Sequence, residues 1–166
     1  MRIQIIKLIS ILFSISIAVY GQEYNNLGQY KSWSIFAKPN KELCYVVADP
    51  YKSSGKYKKR GEVKVVVAYR PNEKNIGFIG FEFGYPFKKN AEVDIKIDNK
   101  KLFKLYTDNQ QAWTYDISDD TEIINYMKKG LTMKVIGFSK KGTRTEDFYS
   151  LSGFTRAHNQ ILRECK

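Results

Sequence analysis

Residues 91–107 read AEVDIKIDNKKLFKLYT, and the period of this stretch decides the fold class. Val93, Ile95 and Ile97 alternate with Asp94, Lys96 and Asp98, which is the two-residue period of a strand that is apolar on one face and wet on the other. DNKK then supplies a hairpin turn into a second strand, LFKLYT. Working outward, SWSIFA places Trp33, Ile35 and Ala37 on one face, and ELCYVVA follows after the turn PNK. EVKVVVAYR runs from Glu62 to Arg70 and stops at the turn signal PNEKN. In IGFIGFEFGYPF, Ile76 to Phe87, the rings of Phe81, Phe83 and Tyr85 are in phase, and the three glycines mark bending or the close approach of a second sheet. LTMKVIGFS and TRTEDFYSL flank the turn SKKG. Short runs of valine, isoleucine and aromatics between turn clusters predict an antiparallel all-β domain, a β-sandwich.

Two segments leave this period. Asp119 and Glu122 have capping-box spacing, Ile123 and Met127 lie four apart, and Gly130 stands where a C-terminal glycine cap belongs, so a short helix is expected over 121–129. At the C-terminus Phe154, Ala157, Ile161, Leu162 and Cys165 fall at helical spacing with Ser152 as N-cap, giving an amphipathic helix with His158 beside its apolar face. The stretch YKSSGKYKKRG, 51–61, reads as a polar loop.

A chain of 166 residues suits one domain. It opens with Arg2 and Lys7 and an apolar run from Leu8 to Val19, too short for a membrane span, followed by Gly21. Residues 1–21 therefore read as a signal peptide and residues 22–166 as the mature domain, destined for the periplasm or the cell surface and exterior. An oxidising compartment lets the chain's two cysteines, Cys44 and Cys165, pair. Closing so long a loop stabilises by up to about 4–5 kcal/mol on the chain-entropy model. Within a helix His158 lies about 10 Å along the axis from Cys165, too far for a Cys/His catalytic pair.

The formal charge of +11 loses Arg2 and Lys7 with the signal peptide and becomes +9. Lysine pairs recur at 58–59, 88–89, 100–101, 128–129 and 140–141. An exported basic protein seldom meets nucleic acid, so the expected partners are anionic envelope or host-surface components, acidic lipid headgroups or polysaccharide, with peripheral membrane contact. Lys52, Lys56, Lys58, Lys59 and Arg60 form the candidate basic loop for such contact, and Tyr85 with Phe87 the candidate aromatic patch. Most of the other aromatics are expected in the core.

Familiar chemistry has little to work with. One histidine limits any imidazole triad to His158, the thiols are expected to be oxidised, and G-x-S-x-G is absent. Two cysteines and one histidine do not close a zinc site, and no calcium loop is present. No catalytic residue, metal or cofactor is expected. Asp116, Asp119, Asp120 and Glu122 cluster before a helix, where acids serve its dipole. The alternative they leave open is a small envelope enzyme acting on glycan through paired carboxylates.

Trp33 followed by Cys44, Arg60-Gly61, the segment Gly84-Tyr85-Pro86-Phe87, Ile97-Asp98 before Phe103, and Ala112-Trp113 together resemble the invasion-associated locus B family of alphaproteobacteria. The last third is the most specific part. After Met127 and Gly130, MKVIGFSKKGTRTEDFYSLSGFTRA and the terminal cysteine are similar to that family's V-x-G-x-S, G-T-x-T-x-D and Y-S-L-x-G-F runs, with an alanine before the final cysteine. The resemblance spans Ser32 to Cys165. It implies an exported bacterial β-sandwich, associated by name with entry into host cells, and brings no catalytic residue or cofactor with it. Some members are richer in cysteine than this chain.

Overall fold

The computed structural model describes residues 24–73 and 77–165; the expected signal peptide, 1–21, lies outside the described residues. In chain order the elements are β1 (Asn25–Tyr30), β2 (Trp33–Ala37), β3 (Cys44–Ala48), β4 (Lys52–Gly55), β5 (Lys64–Tyr69), β6 (Phe78–Glu82), β7 (Glu92–Ile97), β8 (Lys101–Asp108) and β9 (Gln111–Trp113), then α1 (Ile117–Lys129), β10 (Thr132–Phe138), β11 (Arg144–Ser150) and α2 (Phe154–Glu164).

The antiparallel all-β expectation holds. Among the described residues the strands join in one eleven-stranded sheet of order β1-β2-β3-β5-β6-β9-β8-β7-β10-β11-β4. It folds over on itself. The Phe81 ring in β6 lies 6.4 Å from Tyr149 in β11, and Trp33 Nε1 in β2 donates to Ser150 O at 3.0 Å, so strands distant in the sheet order face each other across a common core. The fold-over runs through β8, whose first six residues pair with β7 and whose end, from Tyr106 to Asp108, pairs with β9. One long strand thereby serves both layers, as at the corners of orthogonal sandwiches.

The alternation read from the sequence is the alternation of burial. Trp33, Ile35, Cys44, Val46, Val65, Val67, Val93, Ile95 and Ile97 are all buried. The hairpin of residues 91–107 pairs Ile95 with Phe103 and Ile97 with Lys101, and its turn places Asp98 and Asn99 at positive φ, 50° and 56°, which asparagine and aspartate tolerate. Asp98 also accepts from the amides of Leu131 and Thr132, and these bonds, that of Thr132 foremost, hold its carboxyl below the usual range.

Three local expectations change. The first helix begins four residues earlier than expected, at Ile117, because Asp116 and not Asp119 is its N-cap and accepts from the amides of Ser118 and Asp119. Gly130 is the C-cap as expected, its N–H donating to Tyr126 O at 2.8 Å; with φ −86° it serves closeness and not a left-handed turn, since a Cβ there would sit 2.6 Å from Ile97 Cγ2. In α2 the cap is Gly153, not Ser152. Gly153 has φ 90°, and a Cβ would lie 2.2 Å from Tyr30 O, so both backbone angle and space demand glycine. Finally, the polar stretch at 51–61 is not all loop: its first part is β4, which pairs Lys52 with Phe148 and Gly55 with Thr145 at the sheet edge.

The C-terminal helix docks as its pattern requires. Phe154, Ala157 and Ile161 are buried, and His158, expected beside the apolar face, is fully buried within it. Phe154 packs against Trp33 with ring centroids 4.7 Å apart and planes tilted by 57°, and Cys165 is disulfide-bonded to Cys44.

Candidate functional site

Leaving the edge strand β4, the chain crosses to β5 through Lys56-Tyr57-Lys58-Lys59-Arg60. Charge repulsion and hydration would leave such a run loose, but its last residue turns inward. Arg60 donates through Nη1 and Nη2 to the two carboxylate oxygens of Asp147, each at 2.7 Å, and through Nε to Phe83 O at 2.7 Å. The Arg60 and Asp147 side chains are only 4% and 1% exposed. The guanidinium also lies 5.0 Å from the Tyr85 ring and 5.6 Å from Tyr57. Burial works against its charge, and the two-pronged Asp147 contact outweighs that, leaving the guanidinium pKa raised. Arg60 therefore stands apart from the exposed basic group in which its sequence neighbours placed it. It is the anchor of that group, not a member.

Backbone contacts complete the frame. Gly61 N donates to Gly84 O at 2.9 Å, and Gly84, at φ +67°, comes so near that a Cβ would lie 2.5 Å from Gly61 C. Beyond Gly84, Pro86 O accepts from Lys140 N at 2.8 Å, and Phe87 bridges to Ser139. The Tyr85 hydroxyl hydrogen-bonds Thr145 Oγ1 at 2.7 Å. Burial pushes Tyr85 up to about 12, against the smaller pull of Thr145 and Arg60, so it stays neutral at physiological pH.

Between these three segments, 56–60, 84–87 and 139–145, lies a cavity of about 560 Å³. Its walls carry Lys56, Lys58 and Lys59 from one side of the frame and Lys140 and Lys141 from the β10–β11 turn, with Tyr57, Tyr85, Pro86, Ser139, Thr143 and Thr145 between them. No carboxylate is among the residues that line it. Among the described residues these five lysines form no ion pair, whereas Lys38, Lys41, Lys64, Lys101, Lys104 and Lys134 all have carboxylate partners. The arrangement concentrates positive charge on one cavity, with hydroxyl-bearing residues between the lysines.

The structure thus joins two sequence candidates and divides each. Lys56, Lys58, Lys59 and Tyr85 meet in the pocket. Lys52 does not; it sits in β4 with its ammonium 5.6 Å over the Phe148 ring. Phe87 is buried, 4.8 Å from Phe83, so Tyr85 and Phe87 do not form an exposed aromatic patch. Lys140, Lys141, Thr143 and Thr145 are pocket residues that sequence reasoning misses; the lysine pair in the SKKG turn is the available signal, but its alignment with a loop some eighty residues earlier is a tertiary fact.

Three members of the acidic cluster have structural partners, and two of them, Asp116 and Asp120, also line a separate cavity of about 400 Å³. Asp116 caps α1, and Glu122 pairs with Lys101 at 2.8 Å. Asp120 is buried and accepts from Ile79 N and Thr114 Oγ1, each at 2.9 Å; burial raises its carboxyl pKa against the pull of these bonds. Among the described residues no group of three or more His, Cys, Asp or Glu side chains is placed to hold a metal ion, and no helix is long and apolar enough to cross a membrane.

Residues 33–162 match the family described as Invasion associated locus B (IalB) protein, a span that includes Arg60, Asp147 and the whole pocket. No curated protein and no solved structure matches the chain significantly.

Proposed function

The chain belongs to the invasion associated locus B family, and from that premise we propose that it is an exported, non-catalytic binding protein of the envelope or cell surface whose cationic pocket holds anionic groups. The observation that carries this reading is the convergence of five lysines, without a carboxylate, on one cavity braced by the buried Arg60–Asp147 pair. A disulfide between Cys44 and Cys165 is in keeping with an oxidising compartment. Its partners are anionic components of the bacterium's own envelope or of a host surface, and any role in host contact runs through them. The glycan-enzyme alternative would draw on Asp116 and Asp120, which line a separate cavity of about 400 Å³; the anion-binding reading is favoured because Asp116 already caps α1 and Asp120 already accepts two hydrogen bonds.

The test is co-sedimentation of the mature domain with phosphatidylglycerol vesicles, using phosphatidylcholine vesicles as control. Binding is expected to be confined to the anionic vesicles and to weaken steeply between about 0.05 and 0.5 M salt, as the screening length shrinks towards a few ångströms. Reversing Lys58 and Lys140 to glutamate together should abolish it. Equal binding to both vesicles, or binding unmoved by salt, overturns the reading.

A further inference from the structure

The shape and chemistry of the pocket narrow its ligand further, and this narrower assignment rests on the reading of the pocket as an anion site. The volume of about 560 Å³ falls in the range of roughly 300–1,000 Å³ typical of sites for small molecules. It suits one compact headgroup better than a polymer strand. Its positive charge comes from two separate segments, Lys56 to Lys59 and the Lys140-Lys141 turn, so a group with charge concentrated at one point satisfies both. A phosphomonoester, at about −1.5 to −2 near pH 7 with three acceptor oxygens, does this; a sugar carboxylate offers a single charge. The cation type agrees. Flat, two-pronged carboxylate recognition is the province of arginine, and the two arginines next to lining residues in the chain are already engaged, Arg60 by Asp147 on both prongs and Arg144 by Glu146 at 2.6 Å, leaving lysines, which meet phosphate as point charges. Beside the lysines the wall is apolar and hydroxylic at once: the rings of Tyr57 and Pro86 line it together with Ser139 and Thr143, whose hydroxyls are of a kind that both donates and accepts, Ser139 Oγ already accepting from Thr143 N at 3.2 Å. That combination fits a ring bearing many hydroxyls. We infer that the pocket takes a phosphorylated sugar, with the phosphate between the two lysine groups and the sugar ring against Tyr57 and Pro86.

Calorimetric titration of the mature domain with glucose 1-phosphate tests this, with glucuronate, inorganic phosphate and glucose as comparisons. Glucose 1-phosphate should bind at least tenfold tighter than glucuronate, glucose should give no heat, and inorganic phosphate should bind severalfold more weakly than the sugar phosphate. Lys58→Glu and Lys140→Glu, both lining the pocket, should each weaken binding at least tenfold. Lys100→Glu makes the same charge change in the β7–β8 turn, near the other end of β10 and about 20 Å away by strand length, and should leave it unchanged. Tyr57→Ala should weaken glucose 1-phosphate while sparing inorganic phosphate, a split that a merely loosened loop would not produce. Vesicles displaying a phosphorylated glycolipid distinguish the source: binding more than tenfold tighter than the free sugar phosphate marks a lipid-borne headgroup, and equal affinity marks the soluble compound. Glucuronate bound as tightly as glucose 1-phosphate, or indifference to Lys140→Glu, overturns the inference. If phosphatidylglycerol vesicles bind but glucose 1-phosphate neither binds nor displaces them, the sugar-phosphate assignment falls and the anion-binding function stands; if no anion binds, both fall.

Discussion

At the scale of single residues, Arg60 and Asp147 are the pair on which the site depends. Each is almost fully withdrawn from solvent, and desolvating two ions is repaid only when their geometry is good and their remaining donors are satisfied. Here the guanidinium meets both carboxylate oxygens and directs its third donor to Phe83 O. Removing one partner strands the other. Arg60→Ala and Asp147→Ala are each expected to cost about 3–5 kcal/mol in denaturant titrations, and the double variant should cost much less than their sum, since both lose one shared interaction. Additive losses would show that the two side chains do not act as a pair. Arg60→Lys should recover little, because one ammonium cannot reproduce a fork and a third bond at once. In the sequence Arg60 is simply the end of a lysine run, for its partner lies 87 residues away.

At the scale of elements, α2 is secured by three devices from different parts of the chain. Gly153 admits the turn beneath Tyr30 O, Phe154 packs on Trp33, and Cys165 bonds to Cys44 across 121 residues. The helix is legible in the sequence because its apolar residues recur at helical spacing and the protein has one possible cysteine pair. Its true cap is not, because the need for glycine comes from the strand beyond it and not from its own neighbours. Replacing Cys44 or Cys165 by serine should lower stability by similar amounts, up to about 5 kcal/mol on the chain-entropy model. The double replacement should cost little more than either single one, measured by thermal and denaturant unfolding. Unequal single effects that sum in the double variant would mean that the two cysteines contribute separately, through packing.

At the scale of the whole molecule, one sheet makes both layers, and the fold-over brings β6 against β11 and the β4–β5 connection against the β10–β11 turn. The pocket is a product of that closure. The proposed role also requires export: intact-mass measurement of the protein from its native compartment should show residues 1–21 missing and no free thiol after unfolding without reductant. A retained N-terminus with two free thiols would sink export and the oxidised pairing together. What the residues determine alone is whatever depends on neighbours a few positions apart, strand period, hairpin turns and helical faces, together with net charge and the one cysteine pair the chain can form. Which cations converge and which are buried depended on residues far apart in the chain. Arg60 and Lys59 are adjacent and alike in charge, yet one is neutralised in the interior and the other left facing an open cavity, because only the folded sheet places Asp147 within reach of the first and no carboxylate along the wall of the second.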